Sequence, residues 1–423
     1  MSSAKHGIAI DLGTTTIAAA LVDRADGGII ACGGGLNPQR QFGLDVVTRL
    51  GYACRSPENL LQMQRLVNSE LATIVAQLLA ETGTAAESVA MVALAGNPTM
   101  SHLLLGLPVD TIARPPYRPQ STGAHRLQTG DLGWSLNLPL YVFPSPGGFV
   151  GGDTVAFLYG LGLAAPRAQS PEPSLFLDLG TNGEIALLAA GRLSATSAAA
   201  GPAFEGGNLS CGMAALPGAI DAVAARDGRL VLHALADRPP VGLCGSGVLD
   251  TISLLLGEGL LDATGRLLDP AQVASPLGDR LQEMNGERHF VLYRDAARLI
   301  SLSQADIRQV QLAKGAVRAG MEVLFSKAGI EGDAVAAVVI TGSFGASLSP
   351  ASLKSVGVLT ENMVKNARFV REGALAGVVR TLSCPDSAAA VEALSQGISI
   401  IPLSGTPRFE KHFIEQINFP SHT

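Results

Sequence analysis

Two short segments of this chain carry the residue types that grip a polyphosphate. Asp11-Leu-Gly-Thr-Thr-Thr16 and Asp178-Leu-Gly-Thr-Asn-Gly183 each join a carboxylate, a glycine and side-chain hydroxyls within six residues. Glycine lets backbone amides approach a phosphate with no Cβ between them, and hydroxyls add donors. Gly13, Thr14, Thr15 and Thr16 supply these groups in the first segment; Gly180, Thr181, Asn182 and Gly183 supply them in the second. Asp11 or Asp178, at the end of a strand, can hold hydrated Mg2+ through water, because Mg2+ keeps several waters and takes one or two carboxylates plus phosphate oxygens. Two opposed loops of this kind would clamp a triphosphate, which suits ATP hydrolysis or phosphoryl transfer. One such loop alone reads equally well as a structural hairpin. Asp178 lies 167 positions after Asp11, and a repeat at that spacing weakens the structural reading.

Each segment needs a frame. Apolar β-type runs flank the first loop from Gly7 to Val22 and the second from Ser174 to Leu188, so both read as strand-turn-strand. Residues 29–32 can add a third strand, 60–81 have helical spacing, and 89–94 form a buried strand ending at Ala95-Gly-Asn-Pro-Thr99. Residues 106–145 are rich in Pro and Gly and read as a long irregular insertion. Residues 147–163 begin with glycines and become an apolar helix, and 166–173 form a linker. In the second half, Gly242-Leu-Cys-Gly-Ser-Gly247 leads into a helix over 248–257. A long helix over about 303–328 is capped by Ser303 with Asp306 three residues on. Residues 334–340 form a buried strand ending at Thr341-Gly-Ser-Phe-Gly345, and 408–418 a terminal helix. The organising fact is a duplication at domain scale.

Composition agrees. With 423 residues, 47% of them hydrophobic and 16% charged, the chain is long enough for two buried cores and is not disordered. A net charge of −6 with no basic run argues against a nucleic-acid partner. No apolar run approaches the roughly 18–20 residues of a membrane span. The short polar start does not read as a signal peptide, and a cytoplasmic location is expected. The five cysteines, Cys32, Cys54, Cys211, Cys244 and Cys384, include no CxxC pair, which favours reduced thiols over disulfides and excludes a sequence-local zinc or ferredoxin-type iron–sulfur site.

Asp11–Thr16 and Asp178–Gly183 resemble the two phosphate loops of the superfamily that holds sugar kinases, actin and Hsp70. Residues 151–161 resemble its connecting helix and Ile340-Thr-Gly-Ser-Phe-Gly345 its adenosine loop. The resemblance implies an α/β fold of two ribonuclease-H-like, actin-like ATPase lobes, 1–165 and 174–423, with a nucleotide cleft between them. The C-terminal helix is then a candidate for packing back on the first lobe. It also implies that Gly342 and Ser343 support adenosine, and that Asp153 orients the attacking water or a Mg2+ water; an N-cap carboxylate is the plainer account of Asp153.

A narrower resemblance rests on Asn37-Pro-Gln-Arg40, residues 94–106, residues 200–213, Gly242–Gly247 and residues 311–320. These look like the reductive activators of corrinoid proteins, which use ATP to return an inactive Co(II) corrinoid to Co(I). It implies ATP and Mg2+ as ligands, and a corrinoid protein or its methyltransferase as partner. Those activators usually carry an iron–sulfur domain, for which these residues hold no motif, so a separate iron–sulfur electron donor is expected; a homodimer stays open. Gln311 and Lys314, on one helix face, are candidates for nucleotide contact, with an exposed helix charge as the alternative. Glu205, Asn208 and Asn97 are further candidates, against plain loop hydrogen bonding. In the related 2-hydroxyacyl-CoA dehydratase activators, cysteines of two subunits share a cluster; for Cys211 and Cys244 a pair of small buried residues is the favoured reading. His102 and His412 read as packing residues. A small-molecule kinase of the same fold and a non-enzymatic, nucleotide-gated scaffold are the competing functions.

Overall fold

The apolar runs around the first loop close on each other. In the computed structural model, which describes residues 4–163, 172–342 and 348–421, β1 (His6–Leu12) and β2 (Thr16–Asp23) run antiparallel, with Leu12 opposite Ile17. β3 (Ile29–Leu36) pairs with β2. β4 (Val89–Gly96) runs parallel to β1, placing Ala95 opposite Asp11. β5 (His125–Gln128) and β6 (Pro139–Val142) complete a sheet of order β3-β2-β1-β4-β6-β5. Four consecutive residues of β1, Gly7 to Ile10, are buried, as a strand covered on both faces requires. The long helix α2 (Pro57–Thr82) follows α1 (Val46–Ala53) and presses Met63, Val67, Leu71, Ile74 and Leu78 into this core at three- and four-residue spacing. α3 (Pro98–Leu105), the short α4 (Asp110–Ala113) and α5 (Gly152–Gly160) follow. Residues 106–145 are therefore not an irregular insertion: they supply two strands of the main sheet. Four-residue strands are too short to show an alternating pattern.

The second half repeats this plan. β7 (Ser174–Leu179) and β8 (Gly183–Ala189) pair antiparallel, and β9 (Arg192–Ala198) follows. Two three-stranded sheets come next: β10 (Ala219–Arg226), β11 (Arg229–Ala234) and β12 (Gly242–Leu243), then β13 (Leu281–Met284), β14 (Glu287–Arg294) and β15 (Leu299–Ser303). α6 (Gly245–Gly257) separates them, and α7 (Gln304–Ala328) starts in the expected Ser303–Asp306 capping box. β16 (Ala337–Thr341) runs parallel to β7 with Thr341 opposite Asp178, and β17 (Ala367–Phe369) runs parallel to β16. α8 (Pro350–Ser355) and α9 (Glu361–Lys365) lie between these two strands in sequence. With β18 (Ile398–Ile400) the order is β17-β16-β7-β8-β9-β18, in which β9-β8-β7-β16-β17 matches β3-β2-β1-β4-β6. This is a mixed α/β fold with one core plan used twice.

The expected lobe boundaries need correction. The chain divides into two units, and the second does not run unbroken from 174 to the end. Ala190–Ala195 and Arg371–Ile401 belong to the first unit, and Pro402 onward returns to the second. The cause is apolar: α10 (Gly373–Ser383) buries Ala374, Leu375, Val378 and Leu382 and packs on β1, β4 and α5, with α11 (Ser387–Gln396) following. The terminal helix α12 (Pro407–Gln416) packs along α7 of the second unit, not on the first lobe. Most of the expected linker 166–173 and the residues 343–345 lie outside the described residues. No helix among the described residues is long and apolar enough to cross a membrane.

The α5–α10 contact is close enough to test. A Cβ on Gly377 would stand 1.7 Å from the Ala156 carbonyl oxygen. Gly377→Ala must separate the two helices and should cost roughly 2–3 kcal/mol. The expected result is a lowered melting temperature, with faster hydrogen exchange in α5 and α10 and unchanged exchange in α7.

Candidate functional site

The first loop follows β1 and is held from behind by two asparagines. Asn37 Nδ2 donates to the Gly13 carbonyl at 2.9 Å, and the Asn37 backbone N–H donates to the Thr15 carbonyl at 2.9 Å. Asn97 Nδ2 donates to Thr14 Oγ1 at 2.9 Å, while its Oδ1 caps α3 by accepting the Met100 N–H at 2.9 Å. Asn97 directly follows β4, whose register with β1 carries it to the loop. The start of α5 comes to the same place. A Cβ on Gly151 would lie 2.4 Å from Asn97 Cα and 2.7 Å from Asp153 Oδ1, so only glycine permits this approach. Asp153 Oδ1 accepts the Thr154 N–H at 2.7 Å, and burial pushes its carboxyl up to about 6. The structure thus gathers Asp11, Gly13, Thr14, Thr15, Asn97 and Asp153 around the C-terminal ends of β1 and β4 in one unit, with Thr16 opening β2.

The second loop is held differently. Gly180 N–H donates to the Asn182 carbonyl at 3.0 Å, and Thr181 Oγ1 donates to Glu205 Oε2 at 2.5 Å. A Cβ on Gly180 would come within 3.9 Å of Glu205 Oε1, so this carboxylate covers the loop. Burial pushes the Glu205 carboxyl up, against the Thr181 hydrogen bonds. Gly183 starts β8 against Val317 of α7. Gly342 directly follows Thr341, the partner of Asp178 across the β7–β16 ladder, whereas Ser343 lies outside the described residues. Asn208 is exposed, in a left-handed turn.

Gln311 and Lys314 are buried and spent on backbone carbonyls. Both are 1% exposed. Gln311 Nε2 donates to the Thr264 carbonyl at 3.0 Å and the Ile417 carbonyl at 3.4 Å. Lys314 Nζ donates to the Asn418 carbonyl and stands 5.4 Å from the Phe419 ring centroid. Burial, then the nearby Arg318 charge, lowers the Lys314 ammonium to about 8. These side chains hold the C-terminal segment, which helical spacing alone could not reveal. Cys211 and Cys244 do come near each other through the backbone, since Leu243 N–H donates to the Cys211 carbonyl at 2.8 Å. Their thiols point to different carbonyls, Leu299 and Ile220. His102 is buried with Nδ1 2.7 Å from the Pro98 carbonyl, and His412 pairs with Glu415. Asn37 holds the first loop and caps the turn that follows it, and its signal in the sequence is an Asn directly before Pro at a helix start.

The donor chemistry fits Mg2+ carried by phosphates. Asp11 and Asp178 are hard oxygen donors beside loops of hydroxyls and amides, and among the described residues no three His, Cys, Asp or Glu side chains converge into a protein cage.

Two stability measurements follow. Asn97→Ala removes both the α3 cap and the Thr14 hydrogen bond and should cost roughly 1–3 kcal/mol in urea denaturation. Asn97→Ser, keeping a cap, should recover part. Lys314 titrates lower in the folded chain, near 8, than the ordinary lysine value of 10.5. Between those pH values the unfolded chain binds more protons, so stability rises with pH. Relative to Lys314→Met, the wild type should gain on the order of 2 kcal/mol from pH 7.5 to 10.5.

Comparison with known proteins agrees with this geometry. Residues 6–165 match a family model described as the RACo middle region, and residues 172–423 one described as the C-terminal domain of RACo, the ASKHA domain. The chain is 32% identical over 98% of its length to corrinoid activation enzyme RamQ of Eubacterium limosum, spanning 70% of that protein. It is 26% identical over 55% of its length to a [Co(II) methylated amine-specific corrinoid protein] reductase of Methanosarcina barkeri, spanning 42% of it. A solved reductive activator for a corrinoid, iron-sulfur protein matches all of this chain and 67% of its own, with a TM-score of 0.89 at 29% identity. With one family model on each copy of the duplicated sheet, the chain belongs to the RACo family, whose C-terminal region is an ASKHA domain.

Proposed function

We propose that this chain binds and hydrolyses ATP, and that it couples ATP to the reductive reactivation of a corrinoid protein from Co(II) to Co(I) in a methyltransferase system. The observation that carries the reading is the placement of Asp11 and Asp178 at the ends of equivalent strands, each followed by a Gly-Thr loop, in a chain of this family. The backbone and hydroxyls of Gly13, Thr14 and Thr15 bind phosphate oxygens, and Gly180 and Thr181 do so on exchanging their present acceptors, the Asn182 carbonyl and the Glu205 carboxylate. Asp11 and Asp178 hold metal-bound water, and Gly342 supports the nucleoside. Bound Mg2+ supplies charge neutralisation at the phosphates. Asp153, titrating near 6, is ionised at neutral pH and orients the attacking water.

In the redox step, a reduced iron–sulfur donor separate from these residues loses one electron and Co(II) gains it, giving Co(I). ATP and water become ADP, phosphate and a proton. Nucleotide assists only through differential binding to the states of the complex. About 3 kcal/mol of such coupling moves a one-electron potential by roughly 130 mV.

The test is anaerobic. ATP turnover should rise on addition of a cognate corrinoid protein, and the visible spectrum should report Co(I) only with ATP, Mg2+ and a low-potential donor together. Turnover that ignores every corrinoid protein but phosphorylates a sugar or acid would favour a kinase instead. Asp11→Asn and Asp178→Asn should each lower turnover about a hundredfold or more. Wild-type turnover should fall as pH drops through about 6, where Asp153 is protonated. Asp153→Asn should be slow and lack that acid limb; an unchanged limb would remove Asp153 from the reaction.

A further inference from the structure

Arg49 is one of the largest side chains fully removed from solvent, at 0% exposure, and it lies in α1 behind the first loop. Its Nε donates to the Gly43 carbonyl at 2.9 Å, its Nη1 reaches Met100 Sδ at 3.6 Å, and its buried Nη2 has no hydrogen-bond partner. None of the ion pairs among the described residues includes Arg49. Asp45 acts on it at a distance, but the Asp45 carboxylate is bound to the Thr48 N–H at 2.7 Å and the Thr48 hydroxyl at 3.0 Å; Arg40 adds a like charge. Gln39 Oε1 is also buried without a partner, yet a neutral acceptor would complete a hydrogen bond and leave the charge uncompensated. A lone buried cation is unfavourable unless an anion completes it in some state of the protein.

The first loop is where such an anion would sit. Met100 Sδ, which Arg49 touches, also accepts from Asn37 Nδ2 at 3.5 Å, and that same nitrogen holds the Gly13 carbonyl. The Met100 N–H is bound by Asn97, whose Nδ2 holds Thr14. Resting on the reading of that loop as a phosphate site, we infer that Arg49 is a positioning residue: a fixed cation behind Gly13–Thr15 whose charge is compensated when a nucleotide phosphate occupies the loop.

The experiment measures ATP affinity by calorimetry, together with urea stability of the nucleotide-free protein, for wild type, Arg49→Met and Arg49→Lys. Met fills similar volume without charge, so nucleotide-free Arg49→Met should be as stable as wild type or more so. Its Kd for ATP should rise about tenfold, as expected for loss of a nearby unit charge in a partly shielded interior. Arg49→Lys should recover part of the affinity. Arg49→Met binding ATP within twofold of wild type would overturn the inference while leaving the phosphate loop standing. Loss of nucleotide-free stability in Arg49→Met would overturn it too, by making Arg49 a structural strut. A wild type that binds no ATP would remove the phosphate-site reading and the inference with it.

Discussion

The parallel ladder between the two central strands of each sheet is the constraint from which the rest follows. β1 keeps register with β4 through Asp11–Ala95 and Leu12–Gly96, and β7 with β16 through Asp178–Thr341. Strands that run parallel in register end together, so the loops leaving them emerge side by side. Ligands of open α/β sheets gather at this edge for that reason. The antiparallel partner, β2 or β8, then turns the chain back at once and leaves only the few residues of the Asp-Leu-Gly-Thr turn at the rim.

Each turn is fastened by side chains from elsewhere in the chain, and in the second turn the Thr181 hydroxyl and the Gly180 N–H are themselves among the fastenings. Asn37 and Asn97 hold the first loop with neutral amides, and a buried guanidinium lies behind them. The second loop is held by the Glu205 carboxylate on Thr181. The copies therefore share topology and differ in electrostatics: behind one lies a buried guanidinium that Asp45 compensates only from a distance, and beside the other a desolvated acid. Duplication accounts for the shape of the two loops, and divergence of the residues behind them accounts for their different chemistry.

The features legible in the sequence were local ones. Asp11 and Asp178 could be read because a carboxylate, glycine and threonine between apolar strands need only a few neighbouring residues to be interpretable, and the Ser303–Asp306 cap for the same reason. β5 and β6 were lost because four residues carry no periodicity. The return of α10 to the first unit was lost because its apolar stripe states that it must be covered, not by which strands. Gln311 and Lys314 show the same gap: one helix face was recognised, but its cover, residues 417–419, lies about a hundred positions away in sequence. Asn37 and Glu205 each act on a loop 24 positions away in sequence, so their partners Gly13 and Thr181 become visible only in the fold.

The difference between the two loops bears on how a nucleotide can do work. A ligand bound equally well by two states of a protein shifts neither. A solvated hydroxyl exchanges water for phosphate oxygen with little net change, whereas Thr181 would first give up its hydrogen bond to Glu205. The groups whose energy changes most when phosphate arrives are those already desolvated and imperfectly compensated, and in this chain these are Arg49 and Glu205. They carry opposite signs, so on the proposed reading an anion in the first loop would be favoured by Arg49, whereas an anion at the second loop would oppose the ionised form of Glu205. On the proposed function, the charges buried behind the loops would contribute to coupling between nucleotide and partner along with the residues that touch phosphate.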